Sequence, residues 1–252
     1  MSGKFINQVA VVTGGSTGIG FAIAQALLAE GAKRVYITGR SAATLDAAVA
    51  ALGDNAVAVV SDVAQQADLD SLKALVEARD GQLDAVFANA GVCEKNPVGE
   101  TTEAAYYNMF DINVKGVFFT VQTLLPLMKD GSSIVLTASI CSVTGMEGLG
   151  LYSASKAAVR SFARTWANEL KGRKIRVNAL SPGFTRTPLM DNGLKMDESQ
   201  IQALKDHVEQ TVPLGYMAQP EEIASSALFL ACADAKYVNG VELIVDGGLT
   251  QI

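Results

Sequence analysis

Thr13-Gly14-Gly15-Ser16-Thr17-Gly18-Ile19-Gly20 stands between an apolar run, Val9–Thr13, and a helical pattern, Phe21–Ala29. Glycines at such a junction let the backbone turn tightly. The helix that follows aims its positive N-terminus and free N–H groups at the turn, an arrangement that suits a pyrophosphate. A glycine string alone is weak evidence; the strand before it and the helix after it supply the context that gives it weight. Working outward, the alternation continues. Further strands are predicted at Arg34–Thr38, Ala56–Val60, Leu83–Ala88, Ser133–Thr137, Ile175–Leu180 and Glu242–Val245. Helices are predicted at Leu45–Leu52, Leu69–Val76, Glu103–Asn113, Val114–Met128, Ser153–Leu170 and Glu221–Ala231. Short Val/Ile-rich runs alternating with helices predict an α/β fold, a doubly wound parallel sheet with helices on both faces. No linker divides the chain, so one domain over 1–252 is expected. Only the polar, methionine-containing stretch at about 188–216 breaks the rhythm. It is too long for an ordinary connection and reads as a flap with its own helices.

Of the 252 residues, 49% are hydrophobic and 18% charged, enough for a sizeable core and inconsistent with a disordered chain. Twenty basic against 26 acidic side chains, net −6, argue against a general affinity for nucleic acid or anionic membranes. The longest apolar stretch, around Ile223–Ala233, is interrupted by Ser225 and Ser226 and is too short to span a bilayer. Met1–Ala10 lacks a basic-then-apolar export pattern. Cys93, Cys141 and Cys232 show no zinc or redox spacing and read as reduced thiols. Together these features predict a cytoplasmic protein. His207, the one histidine, sits in a charged stretch and reads as solvated. A His-based triad or multi-His metal site is therefore excluded, and no metal is expected. Trp166 with Phe162 and Leu170 reads as core or subunit interface. The basic run Lys171–Arg176 reads as a solvated helix end, favourable to the helix dipole.

Two further stretches carry chemistry. Where the second strand ends, about 20 residues past the glycines, a carboxylate would hold an adenosine ribose 2′-hydroxyl. Here the chain reads Thr38-Gly39-Arg40-Ser41. A carboxylate would repel a 2′-phosphate, whereas a guanidinium grips it with two hydrogen bonds. Tyr152-Ser153-Ala154-Ser155-Lys156 opens the long helix, and its four-residue spacing sets the Lys156 ammonium on the same face as the Tyr152 phenol. A neighbouring cation favours phenolate and is expected to bring the tyrosine toward a working acid–base range.

With these motifs the chain resembles the single-domain branch of the short-chain dehydrogenase/reductase family along nearly its whole length. The matches are Thr13–Gly20, Asp62-Val63, Asn89-Ala90-Gly91, Asn113, Ser139, Tyr152 with Lys156, Pro182-Gly183 and Asp246-Gly247-Gly248. Within that family it looks most like bacterial NADP-dependent secondary-alcohol dehydrogenases (ketone reductases). The resemblance implies a Rossmann-type fold, NADP(H) as cofactor, a homotetramer and a catalytic tetrad. In it Tyr152 is the acid in ketone reduction and the base in alcohol oxidation. Lys156 tunes that tyrosine and holds the nicotinamide ribose, Ser139 hydrogen-bonds the substrate oxygen, and Asn113 supports a proton-relay water. The implied cofactor contacts are Gly14, Ser16, Thr17, Gly18, Ile19 and Gly20 at the phosphates, and Gly39, Arg40 and Ser41 at the 2′-phosphate. Asp62 and Val63 lie at the adenine and Asn89, Ala90 and Gly91 along the cofactor. Tyr152 and Lys156 touch the ribose, and Pro182, Gly183, Phe184, Thr185 and Thr187 the nicotinamide. Two positions depart from the pattern: Ala88 replaces the first of a paired asparagine, which puts sheet rigidity in question, and Thr185 replaces an aliphatic residue.

The expected substrate is a small-molecule hydrophobic ketone or secondary alcohol in a roomy site. Gly145, Gly148 and Gly150 predict one open wall, and Leu189, Met190, Leu194, Met196, Leu214 and Tyr216 an adaptable apolar one. Helices around Val114–Leu127 and Ala157–Leu170 are apolar on more than one face and, with the strand Val241–Val245, predict burial against other subunits. Two alternatives stay open. A 3-oxoacyl-carrier-protein reductase shares the tetrad, but its acidic partner asks for basic patches. Here Lys129-Asp130 cancels, leaving Lys171, Arg173 and Lys174. A non-catalytic NADP(H)-binding sensor would have no need of Ser139, Tyr152 and Lys156 together.

Overall fold

The computed structural model describes residues 3–252. Seven strands form one sheet: β1 (Val9–Val12), β2 (Arg34–Gly39), β3 (Ala56–Val60), β4 (Leu83–Ala88), β5 (Met128–Thr137), β6 (Arg176–Pro182) and β7 (Glu242–Val245). Their order is β3-β2-β1-β4-β5-β6-β7, and every neighbouring pair is parallel. The helices are α1 (Gly18–Ala29), α2 (Ala42–Leu52), α3 (Gln66–Arg79), α4 (Glu103–Phe110), α5 (Gly116–Leu124), α6 (Gly150–Glu169), α7 (Pro188–Asn192), α8 (Glu198–Thr211) and α9 (Pro220–Ala231).

The continuous apolar strands have a simple cause. Successive side chains of a strand point to opposite faces, and here both faces are covered. In β1, Ala10 and Val12 enter one core with Ile23 and Leu27 of α1 and Leu228 of α9. Val9 and Val11 enter the other, with Leu72 of α3, Val121 of α5 and Val159 of α6. Trp166 packs in that second layer, its ring stacked on Phe162 at 4.8 Å. Since β2 and β3 lie to one side of β1 and β4 to the other, the winding reverses between β1 and β4. A crevice opens there beyond the carboxyl ends of the strands, the place where ligands bind in open α/β sheets.

Three sequence expectations change. The helix expected over Val114–Met128 ends at Leu124, because Pro126 lacks an N–H to continue it. A single tight turn follows, and Met128 already pairs with Leu83 as the first residue of β5. The break expected after Asn113 is instead a π turn over Asp111–Lys115 that joins α4 to α5 without interruption. The basic run is not simply solvated. The Arg173 guanidinium donates to the Leu125 and Met128 carbonyls and to Asp130. Arg176 donates to the carbonyls of Leu230, Ala231 and Cys232, closing the C-terminus of α9. That helix end has no glycine to close it locally. Arg176→Met should therefore lower stability by about 2–3 kcal/mol, a fall of roughly 5–10 °C in Tm by calorimetry. An unchanged Tm would show that solvent satisfies these carbonyls equally well.

Beyond β6, residues 188–216 carry α7 and α8. Met190, Val208, Val212 and Met217 pack together as a small core of their own. Asp197 and Gln200 form a reciprocal cap at the start of α8. His207 is exposed on that helix. The three cysteines are buried and unpaired. No helix among the described residues is long and apolar enough to cross a membrane.

Candidate active site

A cleft of about 660 Å3 runs along the carboxyl ends of the strands. The glycine loop forms its centre, lined by Gly14, Ser16, Thr17, Gly18 and Ile19. Gly14 and Gly18 take left-handed conformations, with φ of +64° and +55°, that other residues adopt only at a cost. Gly20 does not line the cleft. A Cβ there would stand 2.2 Å from the Gly14 carbonyl oxygen and 2.6 Å from Asn89 Nδ2, so this glycine lets α1 tuck beneath the loop. Sequence spacing alone does not separate these two uses of glycine.

The loop is anchored from below. Asn89 Nδ2 donates to the Thr13 and Gly14 carbonyls, and its Oδ1 accepts from the Thr137 hydroxyl at 3.2 Å. The Thr13 hydroxyl accepts from the backbone N–H groups of Asn89 and Ala90. The ends of β1, β4 and β5 are thus tied through one asparagine, although Ala88 contributes no amide.

On the β2–β3 side, Gly39, Arg40, Ser41, Asp62 and Val63 line the cleft. Arg40 is exposed, and no ion pair engages it among the described residues. Ser41 also caps α2, its hydroxyl accepting from Thr44 N. Two residues that sequence reading passed over belong here. Thr38 Oγ1 and Ser61 Oγ are buried without hydrogen-bond partners, and both residues line the cleft. Their only sequence signal is a hydroxyl at the carboxyl end of an otherwise apolar strand.

On the β4–β6 side, Asn89, Ala90, Gly91, Ser139, Tyr152, Lys156, Pro182, Gly183, Phe184, Thr185 and Thr187 line the cleft. A Cβ on Gly183 would lie 2.7 Å from Asp246 Cα, which explains why the turn after β6 and the Asp246-Gly247-Gly248 turn occur together. Tyr152 sits in the first turn of α6, with Lys156 one turn on. Lys156 Nζ donates to the Thr137 carbonyl at 2.8 Å and stands 5.6 Å from the centre of the Tyr152 ring. Burial lowers the Lys156 ammonium from 10.5 to about 8, so it remains charged at neutrality. Burial also pushes the Tyr152 phenol above its ordinary 10, opposed by the hydrogen bond with Ser139. The neighbouring Cys93 and Cys141 would raise it further if ionised, but burial holds both thiols up, Cys93 to about 12. The expectation that the lysine draws the phenol down is therefore reversed in this structure: desolvation wins, and the tyrosine holds its proton.

Asn113 lies behind the cleft, fully buried in the π turn. Its amide is spent on the Val92 backbone, accepting at 2.8 Å and donating at 2.9 Å, and on Ser155 Oγ at 3.0 Å. Of the flap residues expected at the pocket, Leu189 and Met190 line the cleft. Met196 packs into the small flap core, Leu214 is exposed, and Tyr216 turns outward to donate to Glu222 at 2.8 Å. Leu194, Gly145, Gly148 and Gly150 do not line the cleft, and a Cβ on Gly145 or Gly150 would meet open space.

The residues fit a dinucleotide. Left-handed glycines and N–H groups of α1 face its middle, unpartnered hydroxyls and a free guanidinium one end, and a phenol–ammonium pair the other. The family profile described as Enoyl-(Acyl carrier protein) reductase matches residues 14–250. Oxidoreductase asL5 of Sarocladium schorii is 45% identical, covering 99% of this chain and 98% of that protein. The NADP-dependent (R)-specific alcohol dehydrogenase of Lentilactobacillus kefiri is 35% identical, covering 99% of each. A solved short-chain dehydrogenase/reductase described as glucose/ribitol dehydrogenase, from Brucella melitensis, superposes with a TM-score of 0.92 at 32% identity, covering 99% of each chain. The chain belongs to the short-chain dehydrogenase/reductase family, oxidoreductases that use a nicotinamide cofactor.

Proposed function

We propose that this protein interconverts ketones and secondary alcohols with NADP(H), working as a cytoplasmic homotetramer. The observation that carries the reading is the meeting of Ser139, Tyr152 and Lys156 in the half of the cleft facing the flap. The cofactor supplies or accepts the hydride. In reduction, the protonated Tyr152 phenol gives its proton to the carbonyl oxygen while Ser139 donates a hydrogen bond to that oxygen as charge develops. Lys156, still charged at pH 7, then faces a phenolate and stabilises it. Asn113 holds the Val92 backbone and, from its π turn, supports the water through which Tyr152 is reprotonated. The test is NADPH consumption with aliphatic, aryl and bulky ketones and acyl thioesters. Turnover of ketones but not thioesters supports the reading, and strict preference for a 3-oxoacyl thioester supports the alternative of a 3-oxoacyl-carrier-protein reductase. Failure with every carbonyl points to a non-catalytic binder.

Coenzyme choice follows from Arg40. An arginine–phosphate pair contributes roughly 1.5–3 kcal/mol, less where solvent screens it. For an exposed guanidinium that is on the order of 10-fold in kcat/KM for NADPH over NADH. Exchanging Gly39→Asp together with Arg40→Ala should reverse the preference. A Cβ on residue 39 lies 3.1 Å from Ser16 Oγ, a rotatable hydroxyl that can give way. Equal use of both coenzymes by the wild type would refute the assignment.

A further inference from the structure

Four charged side chains line the cleft: Arg40 and Asp62 on the β2–β3 side, Lys156 and Glu94 on the β4–β6 side. Lys156 is committed, bonded to the Thr137 carbonyl and facing the Tyr152 ring. Glu94 is partly buried and makes no hydrogen bond or ion pair among the described residues. Its segment is held from both sides. Asn96 N donates to the Gly148 carbonyl at 2.7 Å, fixing it to the loop that leads into α6. On the other side the flap approaches so closely that a Cβ on Gly193 would lie 2.6 Å from the Cys93 carbonyl oxygen. Glu94 is thus presented between the Tyr152 loop and the flap, in the half of the cleft where a substrate must sit if the proposed reaction is right.

We propose that Glu94 sets substrate charge: the site favours ketones whose side arm carries a hydroxyl or ammonium group and rejects those carrying a carboxylate, phosphate or sulfonate. The inference rests on the ketone-reductase reading. Its physical basis is that a carboxylate in a cleft with low-dielectric walls acts more strongly on a nearby charge than one in open water. Leu189 and Met190 make the flap side of that half largely apolar, and Lys156, the other charge there, is already bonded to the Thr137 carbonyl and faces the Tyr152 ring.

The test compares kcat/KM for butanone, hydroxyacetone, dimethylaminoacetone and levulinate in the wild type and in Glu94→Gln, with NADPH at saturation. Intrinsic reactivity cancels in the variant-to-wild-type ratio of each ketone. The expected result is that the preference for dimethylaminoacetone over levulinate falls by roughly 10-fold or more in the variant, and that the wild-type preference shrinks as salt is raised. Hydroxyacetone should change less, because the glutamine amide oxygen still accepts a hydrogen bond. A purely structural role would move all four ketones together and leave the selectivity ratio unchanged, which would overturn the proposal. Absence of wild-type turnover with all four, alongside turnover of aryl or bulky ketones, would overturn this inference alone; absence with every ketone would remove the ketone reading as well.

Discussion

Tyr152→Phe will lower the turnover of ketone by roughly three orders of magnitude, in the range general acid catalysis supplies, while NADPH still binds. The phenylalanine keeps the ring that faces Lys156 Nζ at 5.6 Å and loses only the hydroxyl. Because burial holds the Tyr152 proton above the ordinary phenol range, this group is a donor at neutral pH with no proton to wait for. Water is a poor replacement, since it must find the same position beside Ser139. The check is steady-state turnover beside a fluorescence titration of NADPH. More than about a tenth of the wild-type rate in the Phe variant would show that another group donates the proton.

Lys156→Met will separate activity from stability. Activity should fall by roughly 100- to 10,000-fold, because the phenolate left after proton transfer loses its cation. Stability should not fall with it. The folded lysine releases its proton near 8 and the unfolded one near 10.5. Below 8 both states are protonated and the cost of burying the charge is complete, about 3 kcal/mol. Between 8 and 10.5 the unfolded lysine binds more proton than the folded one, so its own contribution to stability rises with pH across that window. The buried Cys93 and Cys141 thiols, held protonated in the fold, pull the other way above 9 in wild type and variant alike. Methionine removes the buried charge and forfeits one hydrogen bond to Thr137, about 1 kcal/mol, so a net gain of about 1–2 kcal/mol at pH 7 is expected. Melting curves from pH 7 to 10 on both proteins check this. A variant that melts several degrees lower at pH 7, or one whose difference from wild type stays constant from pH 7 to 10, would refute the assignment. The same titration predicts that ketone reduction declines above pH 8, as the ammonium that supports the phenolate is lost.

The parallel sheet was legible because Val9–Val12 and its counterparts serve two cores at once, and a strand buried on both faces has no polar alternation to confuse it with a surface strand. The glycine loop and the Tyr152–Lys156 spacing were legible because they are local: a turn, a helix start and one helical repeat. The π turn was not, since one extra residue in a helical turn leaves no mark on composition or period. The ties made by Arg173 and Arg176 were hidden by distance along the chain, and a basic run looks the same whether its partners are water or carbonyls. Leu214 and Tyr216 misled for the opposite reason: apolar residues beside a site read as its wall, yet folded proteins keep much apolar surface exposed. The direction of the Tyr152 shift needed three dimensions, because spacing reveals the nearby cation but not the loss of solvent.

Arg176 reaches across 54 to 56 residues of chain to the last carbonyls of α9. An excised 220–232 peptide would carry its own reciprocal cap between Gln219 and Glu222 only if started one residue earlier, and would carry no terminator at all. In the intact protein that last turn is therefore not a place where the helix frays by itself. Its amide protons should exchange with solvent at the slow rate of opening that separates α9 from β6, so deuterium uptake there reports on the whole central sheet and not on a helix end.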